Sequence, residues 1–281
     1  MATKNGAAST NNKVFALRSD TGAVVWTFND GSGGNNWSVG ELNGMPALDY
    51  GRNRLYVTSM STSGTGASLW IVDITTGRLV GSPGACPTAN TACVNLGDID
   101  TSPNISFDGN TLWVGNKTGS VYAISLAAAP GPSMLKWTAP LALGASNQLT
   151  GLVWEDFSTS GRLYMVVANT TAASNAVRCF LDPGIGGTPN AATACSGWGG
   201  ATVGINGAQA SIPLDKLYVT SWDGTTGRIQ QLDFATGTLG TAFTLGDGTR
   251  QPGNASTDLG TEIFVGTTEG KIFKISLPIP P

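Results

Sequence analysis

No histidine occurs anywhere in the 281 residues. Its absence removes Ser-His-Asp and Cys-His nucleophiles, His-ligated zinc, copper and haem, and imidazole acid–base chemistry. Charge is also scarce. Only 12% of residues are charged, 15 Lys+Arg stand against 18 Asp+Glu, and the formal net charge is -3. A nucleic-acid binder carries a basic face, so nucleic acid is not an expected partner. No apolar run reaches the length of about 18 residues that a membrane-spanning helix needs, so no membrane insertion is expected. The opening MATKNGAASTNNK has no basic start followed by an apolar stretch, so it does not read as a signal peptide. Clean helical periodicity is missing too. SLAAAPGPSM at 125–134 comes nearest, and Pro130 and Pro132 break it.

What is present is glycine, 39 residues, together with much Ser, Thr and Asn, and 41% hydrophobic residues that can fill a sizeable core. Low charge with this composition fits a secreted or surface protein, so the expected setting is extracellular, cell-surface or periplasmic. The four cysteines agree. Cys86 and Cys93 sit close together in ACPTANTAC, and Cys179 and Cys195 form a second local pair. An even count grouped in Gly/Pro/Thr-rich loops reads as two short-loop disulfides. Unpaired buried thiols are the alternative. A tetrahedral metal site would need further ligands that the sequence does not offer.

The strongest signal is internal repetition. KVFALRS at 13–19, SLWIVDI at 68–74, SVYAISL at 120–126, AVRCFLD at 176–182, RIQQLDF at 228–234 and KIFKISL at 271–277 share one alternating form. Such alternation marks half-buried strands. A second strand precedes five of them: RLYVTSM at 54–60, TLWVGN at 111–116, RLYMVVA at 162–168, KLYVTSW at 216–222 and EIFVGTT at 262–268. Tight turns such as NKTGS at 116–120, DGTTGR at 223–228 and TEGK at 268–271 join the two into hairpins. One further strand is expected after the hairpin, in DTGAVVWTF at 20–28, TTGRLVG at 75–81 and ATGTLGTAF at 235–243. Another is expected before it, in GMPALDY at 44–50, SPNISFD at 102–108, LTGLVWED at 149–156 and QASIPLD at 209–215. Four antiparallel strands in a repeat of roughly 50 residues make the blade of a β-propeller.

The pattern L-Y-V-G-T-x-x-G-x-[VI]-Y-A-[IL]-D-x-x-T-G-x-x-x-W resembles the PQQ-like repeat of β-propellers. IFVGTTEGKIFKISL matches its first half, VFALRSDTGAVVWTF its second, and LYVTSWDGTTGRIQQLDFATGTLG both without the closing Trp. The resemblance implies an all-β fold of about six repeats, a single propeller domain over 13–277. Residues 1–12 read as a disordered N-terminal segment and 278–281 as a C-terminal tail. By strand count the first repeat supplies only third and fourth strands and the last only the first three. Either the ring is closed by the N-terminal strands, or the chain is an incomplete piece of a larger surface protein. The resemblance also places Trp26 and Trp137 at the closing-strand position, where the family packs a Trp between blades.

Quinone-dependent dehydrogenases share this repeat and commonly carry adjacent cysteines over the cofactor. No adjacent cysteines occur here, and no C-x-x-C-H haem attachment site, so no cofactor is expected. SFDGNTLW at 106–113 approaches the sialidase Asp-box but reads as a D-G-N hairpin turn. NDGSGGNN at 29–36 and GDID at 97–100 offer oxygen ligands without calcium-loop spacing and read as surface loops, so no metal is expected. Asp98, Asp100 and Glu155 are the acids that could line a channel mouth in a carbohydrate-active enzyme. Trp70 and Trp113 read as core. Trp37 in GGNNWS and Trp198 in CSGWGG lie in Gly-rich loops, where an aromatic can bind sugar or a partner protein. Five N-x-[ST] sequons occur, at Asn36, Asn104, Asn116, Asn169 and Asn254, and matter only in a secretory eukaryote. The sequence thus points to an extracytoplasmic, non-catalytic interaction or assembly module with a protein partner. The alternatives are a carbohydrate-active hydrolase or lyase, with carbohydrate as ligand, and a subunit of a surface filament or layer.

Overall fold

The computed structural model describes residues 2, 12–32, 35–61, 66–80, 93–128, 134–144, 146–156, 161–169, 174–190, 195–198, 201–202, 209–211, 217–233, 235–245, 252–257 and 261–277. Among them every regular element is a strand, and all pairings within the sheets are antiparallel. The first sheet holds β1 (Val14–Leu17) and β2 (Val24–Phe28). The second holds β3 (Ala47–Asp49), β4 (Arg54–Thr58), β5 (Leu69–Asp73) and β6 (Cys93–Val94). The third holds β7 (Asn104–Ile105), β8 (Thr111–Gly115), β9 (Ser120–Ser125) and β10 (Leu141–Ala142). The fourth holds β11 (Asn147–Asp156), β12 (Arg162–Asn169), β13 (Ser174–Leu181) and β14 (Ala201–Thr202). The fifth holds β15 (Gln209–Ser211), β16 (Leu217–Trp222), β17 (Gly227–Leu232) and β18 (Phe243–Thr244). The sixth holds β19 (Pro252–Thr257), β20 (Glu262–Thr267) and β21 (Ile272–Ser276).

The central hairpins form where the β-branched and aromatic alternation predicts them. Polar turns hold them shut. In the β8–β9 turn, the Asn116 side-chain oxygen accepts from the Thr118 and Ser120 N–H groups at 3.1 and 2.9 Å. One expectation fails. TTGRLVG at 75–81, of which residue 81 lies outside the described residues, and ATGTLGTAF at 235–243 do not become full fourth strands. Each contributes one isolated bridge, Val72 to Leu79 and Leu232 to Leu239; the fourth strand of the second sheet forms later, as β6, and that of the fifth, β18, begins at Phe243, the last residue of its expected stretch. Both turns are capped by an aspartate. Asp73 Oδ1 accepts from the Thr75 and Thr76 N–H groups at 2.9 and 2.8 Å, and Asp233 Oδ1 does the same with Ala235 and Thr236 at 2.8 and 2.9 Å. Such capped turns reverse the chain, and beyond them the Val80 N–H donates to the Ile71 carbonyl at 3.0 Å and the Gly240 N–H to the Gln231 carbonyl at 2.8 Å.

The chain divides into two compact units, Met1–Ala142 with Gly184–Thr188, and Leu143–Pro183 with Pro189–Pro281. Strand alternation builds both cores. In the first unit, Leu55, Val57, Trp70 and Val72 pack with Val14 and Phe28, while Tyr56, Leu69 and Ile71 face the opposite way onto Leu112, Val114 and Ile124. In the second, Leu217, Val219 and Leu232 pack with Val166 and Val177, while Tyr218 and Ile229 meet Ile263, Val265 and Ile275. A fixed register accompanies this. The aromatic of each second strand lies opposite the middle of the third: Tyr56 opposite Ile71, Trp113 opposite Ala123, Tyr164 opposite Cys179, Tyr218 opposite Gln231, Phe264 opposite Lys274.

Residues 1 and 3–11 and the tail at 278–281 lie outside the described residues. Ala2 forms an antiparallel bridge with Val14, and Asn12 is buried with its side-chain amide donating to the Val39 carbonyl at 3.0 Å.

Candidate functional site

Cys179 and Cys195 form a disulfide with Cα atoms 5.5 Å apart. Cys93 is disulfide-bonded as well, and Cys86 lies outside the described residues. The bridge does local work. The Trp198 N–H donates to the Cys195 carbonyl at 3.0 Å, and the Trp198 ring meets Tyr164 with centroids 5.0 Å apart. On its other side Trp198 covers Gly237: a Cβ there would stand 2.7 Å from the indole. Trp198 is therefore half-buried between its own sheet and the next. Trp37 is half-buried too, against the cluster around Val14, Phe28 and Val39, and its N–H donates to Asn29 Oδ1 at 2.7 Å. Trp26 lies across Gly77, where a Cβ would stand 2.5 Å from its ring, and its indole N–H donates to the Ile74 carbonyl at 2.7 Å. Trp137 is buried and meets Trp113 in a tilted contact, with ring centroids 5.3 Å apart.

The acids are tied into loops. Asp98 Oδ1 accepts from the Ser61 N–H at 2.9 Å, and Asp100 pairs with Lys117 at 3.8 Å. Glu155 sits in β11 opposite Leu163, and its side chain lies outside the described residues. Among the described residues no three His, Cys, Asp or Glu side chains gather as metal ligands would. In the loop after β2, Asp30 Oδ1 accepts from the Ser32 N–H at 2.9 Å and from Asn35 at 3.1 Å, and Arg78 stands 3.7 Å away. The Ser32 backbone bond is the leading reason that the Asp30 carboxyl titrates below its ordinary range, with Arg78 adding to it. At the 106–113 turn, burial pushes the Asp108 carboxyl up, but bonds from Ser106 and Asn110 outweigh it and the net shift is downward. Arg52 donates to the Gly109 carbonyl of this turn at 2.7 Å while pairing with Asp49 at 3.0 Å, clamping adjacent turns of the second and third sheets. Of the sequons, Asn116 is buried, with its amide donating to the Leu96 carbonyl at 2.8 Å.

The structure adds a site that the motif search did not mark. A groove of about 850 Å³ runs between β1 and the face of the second sheet. Val14, Ala16 and Leu17 line one wall and Leu48, Leu55 and Ile74 the other. Among the described residues no charged side chain lines it. Leu17, Met45, Leu48 and Tyr50 on its rim are exposed, Met45 by 69% and Tyr50 by 79%. The sequence signal was the placement of Met, Leu and Tyr in GMPALDY around a strand of only three residues. Periodicity alone assigns such residues to a core. Its described lining is suited to binding an uncharged, largely apolar group.

No known family profile and no curated protein matches the chain. Solved structures do. The Dos1 propeller aligns with a TM-score of 0.58 at 14% identity, covering 93% of this chain and 58% of that one. Dihydro-heme d1 dehydrogenase NirN, solved in complex with DHE, aligns with a TM-score of 0.51 at 17% identity, covering 99% of this chain and 53% of that one. BamB from Moraxella catarrhalis aligns with a TM-score of 0.46 at 13% identity, over 95% of this chain and 77% of that one. The chain thus spans little more than half the length of the first two. At these identities the likeness shows the fold: an all-β protein of β-propeller architecture.

Proposed function

We propose that this propeller is a non-catalytic protein-interaction or assembly module of PQQ-like repeats, working outside the cytoplasm. The observation that carries the reading is the uncharged groove in the first unit, rimmed by exposed Leu17, Met45, Leu48 and Tyr50. Contiguous exposed apolar surface of this kind marks interaction sites. Hydrogen-bonded turns on either side hold the rim in place, including the Arg52 clamp. The disulfides support an oxidising compartment. The repeat motif supports the PQQ-like assignment, and such rings present loops on a rigid base.

The test is site-specific photo-crosslinking in cells that produce the protein. A photoreactive residue at Met45 is expected to yield one discrete protein adduct in stoichiometric amount, and one at exposed Thr225 none. Equal, heterogeneous labelling from both positions would sink the module reading.

A further inference from the structure

An asparagine followed by glycine carries a chemistry of its own. The side-chain carbonyl carbon can reach the next backbone nitrogen, and a glycine there has no Cβ to obstruct the approach. The chain has three such pairs, at Asn5, Asn43 and Asn206, and Asn43–Gly44 lies within the described residues. It sits in the irregular stretch just before β3, with Asn43 exposed and lining the groove. Neither the Asn43 side chain nor the Gly44 N–H makes a hydrogen bond among the described residues. Asn29, Asn53, Asn110 and Asn116 differ on both counts: each side chain is hydrogen-bonded, and none is followed by glycine. Gly44 is also fixed by packing. A Cβ there would stand 2.4 Å from the Thr101 carbonyl oxygen and 2.7 Å from the Ser102 nitrogen, so no other residue fits. The fold therefore keeps the pair that makes Asn43 reactive.

We infer that Asn43–Gly44 is a site of spontaneous deamidation that makes the groove's rim anionic. The Gly44 nitrogen gives up its proton to base and bonds to Asn43 Cγ, and the side-chain nitrogen leaves as ammonia. Water then opens the cyclic imide. Cleavage of the new Cγ–N bond leaves aspartate. Cleavage of the original main-chain bond leaves isoaspartate, in which the main chain runs through Cγ. Water enters and ammonia departs, and nothing is oxidised or reduced. Both products put a carboxylate, ionised at neutral pH, into a lining that has no charged side chain among the described residues. The isoaspartate form does more. It lengthens the main chain by one carbon beside a glycine that has no room against Thr101. The Met45 N–H, which donates to Ser102 Oγ at 2.8 Å, is the next contact along and is the one released. The conversion stands apart from the module reading, since it needs no partner.

The full chain is incubated in mildly alkaline buffer beside a synthetic peptide of residues 40–48, GELNGMPAL, and both are mapped over time by fragmentation mass spectrometry. Asn43 in the folded chain should convert within about tenfold of the peptide's rate, because an exposed loop opens at little cost. It should run ahead of Asn29, Asn53, Asn110 and Asn116. Asn43→Gln should remove the mass change at this position and leave the fold intact, since the side chain is exposed. A folded rate slower than that margin, or equal conversion at the hydrogen-bonded asparagines, would overturn the site. Hydrogen exchange then reads the loosening. The Met45 amide should exchange about tenfold or more faster in the isoaspartate fraction than in fresh protein. It should stay slow in Asn43→Asp, which adds the charge without the extra carbon. Equal exchange in the isoaspartate fraction and fresh protein would overturn the release of Met45.

Discussion

In the first compact unit the indole of Trp26 lies across Gly77, and in the second the indole of Trp198 lies across Gly237. Both glycines end a D-x-x-T-G turn capped by its own aspartate, and both have positive φ, +68° and +74°. The rings arrive by different routes. Trp26 belongs to β2, which follows directly from the preceding turn, and its indole N–H donates to the Ile74 carbonyl. Trp198 belongs to no strand. It is delivered by the turn that begins at the disulfide, and its indole N–H finds no hydrogen-bond partner among the described residues. The difference teaches which part of the contact is essential. A flat ring on a residue without Cβ is common to both; the hydrogen bond and the strand are not.

The comparison can be broken most directly at the rings. Trp26→Ala and Trp198→Ala are each expected to cost about 3 kcal/mol or more, in the range for truncating a packed aromatic. Urea denaturation should place them close together. A negligible cost at Trp198 alone would show that the second contact is incidental. Next comes the delivery route. Replacing Cys179 and Cys195 together by serine is expected to cost about 2–3 kcal/mol, on the loop-entropy account. It should also shift Trp198 fluorescence toward solvent, measured against the Trp198→Phe background, while Trp26 emission stays unchanged. An unchanged Trp198 signal would deny the bridge its positioning role.

The smallest effect sharpens the difference by pH. Arg78, directly after Gly77, donates to the Ser32 carbonyl at 2.9 Å and stands near Asp30, whereas Thr238 follows Gly237. The Asp30 carboxyl is held below its unfolded value. Its contribution is therefore complete above about pH 5 and is lost as pH falls below about 4 through the depressed folded value. The loss should stay under about 1 kcal/mol because the pair is partly exposed. Asp30→Asn should flatten the acid limb of stability by that amount, and an unchanged limb would remove the Asp30 carboxylate, with its Ser32 bond and its Arg78 neighbour, from the account.

Hairpins and the glycine turns after them were legible because each is written in one short stretch of sequence; the cross-strand register and the aspartate caps were not read from it. Period-two alternation gave β4, β5, β8 and β9, and D-x-x-T-G gave the reversals at Gly77 and Gly237. Trp26 was legible for the same reason, since the motif fixes its distance from Thr21 and Gly22. Trp198 was not, because the spacing from Asp182 to Trp198 is set by a disulfide loop rather than by strand geometry. The short fourth strand β6 was missed because TTGRLVG shows the same alternation as a strand, and β18 was placed too early, since only Phe243 of ATGTLGTAF belongs to it. Asp98 and Asp100 were noticed as acids, but their roles depend on Ser61 and Lys117, which no local pattern links to them. The groove was illegible for a similar reason: its walls come from segments some 40 residues apart whose facing is a matter of packing.

Within every sheet each strand is hydrogen-bonded to its neighbour in sequence, so no ladder among the described residues waits for a distant segment. That order bears on how the chain is made. A stretch of about 50 residues leaves the ribosome in roughly 3–10 s at ordinary synthesis rates. A hairpin closes in about 1–10 μs. Each sheet can therefore finish its pairing before the next has been translated, and its exposed edges spend little time available to other nascent chains.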